Sequence, residues 1–125
     1  MIVGIGVDIM KIQRIQKSME SFGDSFLERI FTPGEIHYCT AKNNAAQHFA
    51  ARFAAKEAVS KTLATGWRGD FSWKDIEVTN DVLGQPHIAL HGKLKETLAQ
   101  VSIFLSLSHS EDHVVAMAVM EKEDT

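Results

Sequence analysis

The alanine-rich run from Ala45 to Lys61 predicts a helix, and one acid within it is out of place. At about 100° per residue, Ala46, Phe49, Ala50, Phe53 and Ala64 share one stripe. Glu57 falls in the middle of that stripe. A carboxylate there must be paired, bind a metal, or cost several kcal/mol in desolvation. A second acid, Asp8, closes the apolar segment that begins at Met1. Two carboxylates that interrupt or end buried elements point to a shared cation site.

A chain of 125 residues predicts one domain, residues 1–125, small enough for association to help its stability. No segment is long enough to span a bilayer, and the N-terminus lacks the basic region and cleavage site of a signal peptide. The one cysteine, Cys39, excludes an internal disulfide and fits the reducing cytoplasm. The net charge of -3 hides an asymmetry. Residues 1–61 carry eight Lys/Arg against six Asp/Glu, whereas residues 62–125 carry five against ten. Lys11, Arg14 and Lys17 repeat at helical spacing, with Arg29 beyond them. Such a basic face is either solvated or a contact for an acidic partner. Nucleic acid is not expected, because the overall charge is negative and no aromatic residues interleave a basic stripe.

Residues 2–8 read as a buried strand. Residues 11–21 read as a helix with Ile12, Ile15, Met19 and Phe22 inward. Ser25 to Ile30 is a second short helix. Thr32-Pro33-Gly34-Glu35 carries a capping-box pattern, with Pro33 at the first helical position. That pattern explains Glu35 locally. Helix continues to about Ala41, and the long helix runs from about Ala45 to Ala64. Thr65 to Asp70 is a loop. Ile76–Thr79 and His87–Leu90 are strands joined through the Leu83-Gly84-Gln85-Pro86 turn. Lys93 to Ala99 is a short helix. Val101, Ile103, Leu105 and Leu107 alternate with polar residues in a strand ending at His109, and His113 to Met120 returns as its hairpin partner. The tail from Glu121 is expected to fray. The fold class is α+β: a small, mostly antiparallel sheet with one long and several short helices.

Asp8 and Glu57 offer hard oxygen ligands without thiolate or paired imidazole, which suits Mg²⁺ shared with substrate phosphates. The competing reading is a capping Asp8 and a Glu57 paired with Lys61 one turn on. Arg52, Lys56 and Lys61 could neutralise a pyrophosphate beside that metal, or could form an exposed cationic face. His109 is either a histidine satisfied by neighbouring serines or a phosphate ligand at a strand end. No Gly-x-Ser-x-Gly elbow supports a hydrolase. Gly4 and Gly6 resemble the start of a dinucleotide fingerprint, but no third Gly follows at the right place and Asp8 interrupts it, which rules that reading out.

Taken in order, these segments resemble the holo-acyl-carrier-protein synthase family of small bacterial 4'-phosphopantetheinyl transferases. Gly4-Ile-Gly-Val-Asp8-Ile9 resembles its first motif. Phe49-Ala-Ala-Arg-Phe-Ala-Ala-Lys-Glu57-Ala-Val-Ser-Lys61 resembles its second and most specific one. Arg29-Ile-Phe-Thr32-Pro-Gly-Glu35, the Gly84-Gln-Pro86 turn and Ser106-Leu-Ser-His109-Ser110 follow the family order. The resemblance implies the phosphopantetheinyl transferase fold. It implies transfer of phosphopantetheine from coenzyme A to a serine of apo acyl carrier protein, in fatty acid biosynthesis, releasing adenosine 3',5'-bisphosphate. Asp8 and Glu57 would bind Mg²⁺, and Lys61 would contact the pyrophosphate. Arg52 and His109 would hold the nucleotide end, with Ser60, Gly66 and Pro86 as further coenzyme A contacts. Glu57, through a water, is the first choice of base and Glu35 the second. Lys11, Arg14, Lys17 and Arg29 would dock the acidic carrier. The family is trimeric with sites between subunits, which would bring the Gly84–Pro86 turn and His109 near a neighbour's metal site.

Two other classes stay open. A non-catalytic nucleotide- or carrier-binding module would not need Asp8 and Glu57 together. A Mg²⁺-dependent phosphohydrolase would release product without a carrier. Carrier type, fatty-acid against polyketide or peptide synthase, is also open.

Overall fold

The computed structural model describes residues 1–63 and 71–123. Ala64, the loop from Thr65 to Asp70, and Gly66 within it lie outside the described residues. The order is β1 (Ile2–Lys11), α1 (Ile12–Phe22), α2 (Asp24–Ile30), α3 (Pro33–Thr40), α4 (Ala45–Leu63), β2 (Ile76–Asn80), β3 (Pro86–Leu90), α5 (Gly92–Thr97), β4 (Val101–His109) and β5 (His113–Lys122). A single 3-10 turn, Trp73–Asp75, precedes β2. The α+β expectation holds, with the strands divided between two antiparallel sheets. One has the order β1-β5-β4 and the other is the β2-β3 hairpin.

Local chemistry places the elements. Thr32 accepts from the Glu35 N–H and the Glu35 carboxylate accepts from the Thr32 N–H, so the predicted capping box starts α3. Gly23, at a φ of 57°, separates α1 from α2 in a conformation that a side chain would strain. The tail differs from expectation. Glu121 and Lys122 continue β5, and the Lys122 N–H donates to the Met1 carbonyl at 2.9 Å. Phe22, expected inward, is exposed at the end of α1.

Helix α4 is the centre of the molecule. It packs on β1, β5 and β2 and against α1 and α3. Phe49, Ala50, Ala54, Ala55, Ala58, Val59 and Leu63 are all buried. Helix neighbours on several sides bury it nearly all round, so a single apolar stripe understates its covered surface. Small residues permit the closest approach. A Cβ at Gly6 would sit 1.9 Å from the Ala58 carbonyl oxygen, so β1 can press on α4 only through glycine. This packing, not a nucleotide loop, accounts for Gly4 and Gly6.

The expectation of a buried first strand is corrected. Gly6 and Met10 are buried against α4, but Ile5, Val7 and Ile9 are exposed on the other face. In register, Val7 stands opposite Met117, and Val119 lies between Ile5 and Phe104. Met117 and Phe104 are exposed too, so the outer face of the three-stranded sheet is a continuous apolar patch.

Candidate active site

Two groups of functional side chains lie on different faces of α4. The first faces β1. Asp8 is not at the end of its strand but inside it, paired in register with Ala116. Its Oδ1 accepts from the Lys61 ammonium at 3.2 Å, and that ammonium also donates to the Val7 carbonyl at 2.8 Å. Asp8 Oδ2 is buried without a hydrogen-bond partner among the described residues. Glu57 is half-buried and close enough to Asp8 to feel it. Burial first, and repulsion from Asp8 second, push its carboxyl above the ordinary carboxylate range, against the opposing pull of Lys61.

This pair fits a hard cation. A buried carboxylate oxygen lacks a donor, and a second carboxylate is destabilised by the first. A divalent ion shared by the two carboxylates would relieve both penalties. No cluster of three or more His, Cys, Asp or Glu able to hold a metal occurs among the described residues. Two carboxylates are a donor set that would suit Mg²⁺, with substrate oxygens and water as its other ligands. Ser60 spends its hydroxyl proton on the Glu57 carbonyl at 2.7 Å, keeping only its lone pairs for a ligand.

The second group faces α3 and the β2-β3 hairpin. Residues 52 and 57 are five apart, about 140° around the helix and about 7.5 Å along it. Arg52 is 3% exposed. Its guanidinium lies over the Tyr38 ring at 4.1 Å and donates through Nη2 to Asn80 Oδ1 at 2.6 Å. Lys42 stands over the same ring at 4.7 Å, and His48 meets it edge-on at 5.8 Å. The His48 pKa is lowered by burial and then by the charges of Arg52, Lys42 and His109. His109, exposed at the end of β4, is thereby placed within electrostatic reach of this cationic cluster. Pro86 opens β3 opposite Asn80 in register, at the same end of the hairpin. Sequence spacing did not single out Tyr38, Lys42, His48 or Asn80. The four-residue spacings Tyr38–Lys42 and His48–Arg52 were the available signal.

Three expectations are corrected. Arg52 and Lys56 do not form an exposed face; both are buried. Lys56, at 0% exposure, pairs with Glu35 Oε1 at 2.7 Å and donates to the carbonyls of Trp73, at 3.0 Å, and Ile76. Glu35 is not a base. It is 1% exposed, Oε1 takes the Thr32 N–H and Lys56, and Oε2 takes the Val78 N–H at 2.9 Å. A carboxylate so enclosed and engaged does not reach substrate. The sequence singled out Glu57 as the misplaced charge of α4, but the deepest charge is Lys56.

Lys11, Arg14, Lys17 and Arg29 are all exposed, on β1, α1 and α2, and none joins an ion pair among the described residues.

Comparison with known proteins matches residues 4–118 to the family model of the 4'-phosphopantetheinyl transferase superfamily. The chain is 51% identical over 125 residues to a holo-[acyl-carrier-protein] synthase of Geotalea daltonii, across 98% of this chain and 100% of that protein. The crystal structure of holo-[acyl-carrier-protein] synthase from Neisseria meningitidis matches with a TM-score of 0.86 at 38% identity, over 98% of this chain and 100% of that one. The Helicobacter pylori enzyme in complex with coenzyme A matches with a TM-score of 0.82 at 34% identity, over 94% and 99% of the two chains.

Proposed function

Because the chain belongs to the 4'-phosphopantetheinyl transferase superfamily and is an enzyme of the holo-[acyl-carrier-protein] synthase type, we propose that it moves the 4'-phosphopantetheine group of coenzyme A onto a serine of an apo acyl carrier protein in fatty acid biosynthesis. The carrier serine oxygen forms a bond to the phosphorus next to pantetheine, and the pyrophosphate bond breaks. Adenosine 3',5'-bisphosphate leaves. The observation that carries this reading is the carboxylate pair, with its unpartnered Asp8 oxygen, beside the Lys61 ammonium.

Asp8 and Glu57 would hold Mg²⁺, which neutralises pyrophosphate charge as the bond breaks. Lys61 sits at the rim, half exposed, where its ammonium can follow the leaving phosphate. Glu57 takes the serine proton through a water. Arg52 holds the nucleotide end by charge and His109 through a ring nitrogen, with Pro86 beside it, and Ser60 contributes its lone pairs. The nucleophile arrives on the partner, which is why the chain needs none of its own.

The two faces of α4 bear on assembly. The carboxylates face β1 and the cationic cluster faces the hairpin. We read each as half of a site completed by a second copy, in a homotrimer built through the apolar outer face of the β1-β5-β4 sheet. Sedimentation is expected to give three times the chain mass. Val7→Glu should yield smaller species that lose transfer; a monomeric wild type overturns the trimer.

The exposed cations Lys11, Arg14, Lys17 and Arg29, which join no ion pair among the described residues, suit an acidic carrier. Arg14→Glu should raise KM for the carrier about tenfold, leave KM for coenzyme A alone, and lose its effect at high salt. An unchanged carrier KM at low salt removes Arg14 from the docking surface. No helix among the described residues is long and apolar enough to cross a membrane. Burial pushes the lone Cys39 thiol up to about 11, and an unreactive thiol suits the reducing cytoplasm in which we place the reaction.

The decisive experiment is the intact mass of apo acyl carrier protein after incubation with the enzyme, coenzyme A and Mg²⁺. A gain of about 340 Da, one phosphopantetheine arm, that EDTA abolishes is expected. Coenzyme A consumed without a mass gain would mean hydrolysis and would overturn the transferase reading.

A further inference from the structure

Arg52 is held in an unusual way for a buried cation. It has no carboxylate partner among the described residues, and its Nε is buried without a hydrogen bond. The acids on the surrounding elements are engaged elsewhere. Glu35 is paired with Lys56. Glu77 accepts from Thr32 at 2.6 Å and meets His91 at 2.8 Å. Asp81 accepts from the Leu83 and Gln85 N–H groups and meets His87. Among the described residues, the one side-chain hydrogen bond of the guanidinium goes to the neutral amide of Asn80.

The orientation of that amide is fixed by its neighbours. Arg52 can only donate, and the Gly84 carbonyl can only accept. Asn80 Oδ1 therefore faces Arg52, and Nδ2 donates to the Gly84 carbonyl at 3.0 Å. One side chain fixes the guanidinium, ties it to the turn that leads into Pro86, and leaves its charge whole. A carboxylate at the same place would bind the guanidinium more strongly but would cancel its charge. A buried, uncancelled cation with a free donor is costly until an anion meets it.

We propose that Asn80 is a positioning residue that keeps the Arg52 charge available and so sets the preference of the enzyme for a donor bearing a 3'-phosphate. This rests on the reading of Arg52 as a ligand of the nucleotide end. Asn80 itself touches no reacting atom; it acts through Arg52.

The test is steady-state kinetics of the full-length enzyme and Asn80→Asp, with coenzyme A and with 3'-dephospho-coenzyme A. The wild type is expected to favour coenzyme A in KM. Asn80→Asp should raise KM for coenzyme A about tenfold, change KM for the dephospho donor less than about twofold, and keep kcat at saturation. Loss of the Gly84 bond alone would shift the turn and raise both KM values together, so the ratio isolates the charge. A wild-type ratio in Asn80→Asp, or an equal loss for both donors, overturns the inference while the Arg52 reading stands. No donor preference in the wild type overturns the Arg52 reading itself, and the inference with it. Should Asn80→Asp fail to fold, Asn80→Ala is read by the same ratio. A preference reduced about threefold supports the tether, and an unchanged one overturns it.

Discussion

Asp8→Asn and Glu57→Gln are expected to cost about 10²–10³-fold in transfer while the protein stays folded. Asn keeps the shape of Asp8 and can still accept from Lys61. The oxygen it replaces, Oδ2, has no hydrogen-bond partner among the described residues, so no such bond is lost there. Glu57→Gln removes a charge that burial and Asp8 both disfavour. Its stability should equal or exceed that of the wild type, because the repulsion between the two acids disappears. Activity and stability thus move in opposite directions, which a merely structural acid would not do. Thermal unfolding with and without Mg²⁺ completes the test. The wild type should gain stability from the ion, and both variants should lose that gain. Wild-type rates in either variant would remove that residue from the metal site.

Lys56→Met is expected to destabilise the protein by about 3–5 kcal/mol in urea unfolding. The substitution strands a buried Glu35 carboxylate and leaves the Trp73 and Ile76 carbonyls without their shared donor. Glu35 cannot be released to solvent, because it also anchors the Thr32 and Val78 N–H groups. The double change Lys56→Met with Glu35→Gln should recover much of the loss. A neutral amide oxygen can keep a backbone donor without carrying an unpaired charge. A Lys56→Met protein as stable as the wild type would mean that the pair holds nothing together. The pair joins α3, α4 and β2, so it also sets where the hairpin, and with it Asn80, stands against α4.

The sequence was legible where the physics is local. The Thr32–Glu35 capping box needs only neighbouring residues and formed as read. The alternation from Val101 to Leu107 put the aliphatic residues on the inner face of β4, and the hairpin with β5 followed. The segments around Asp8, Glu57 and Lys61 lie together in the fold. The β1 reading failed for a stated reason. Its apolar residues alternate with glycine, and the glycine face, not the apolar one, packs on α4. Alternation divides a strand into two faces without saying which neighbour covers each.

The same gap explains the charges of α4. Helical spacing places Arg52 with Lys56, and Glu57 with Lys61, one turn apart. It gives no means of telling a solvated cation from one buried against α3 and β2. That choice came from residues far along the chain: Glu35 and the carbonyls of Trp73 and Ile76 for Lys56, Asn80 for Arg52, and Asp8 for Lys61. By itself the sequence determined the elements and their local caps, because each follows from interactions within a turn or a strand period. Only the tertiary structure decided which charges are buried, which face of β1 is left open and which neutral side chain holds Arg52. Desolvation and pairing depend on groups brought together across the chain, and no local period encodes them.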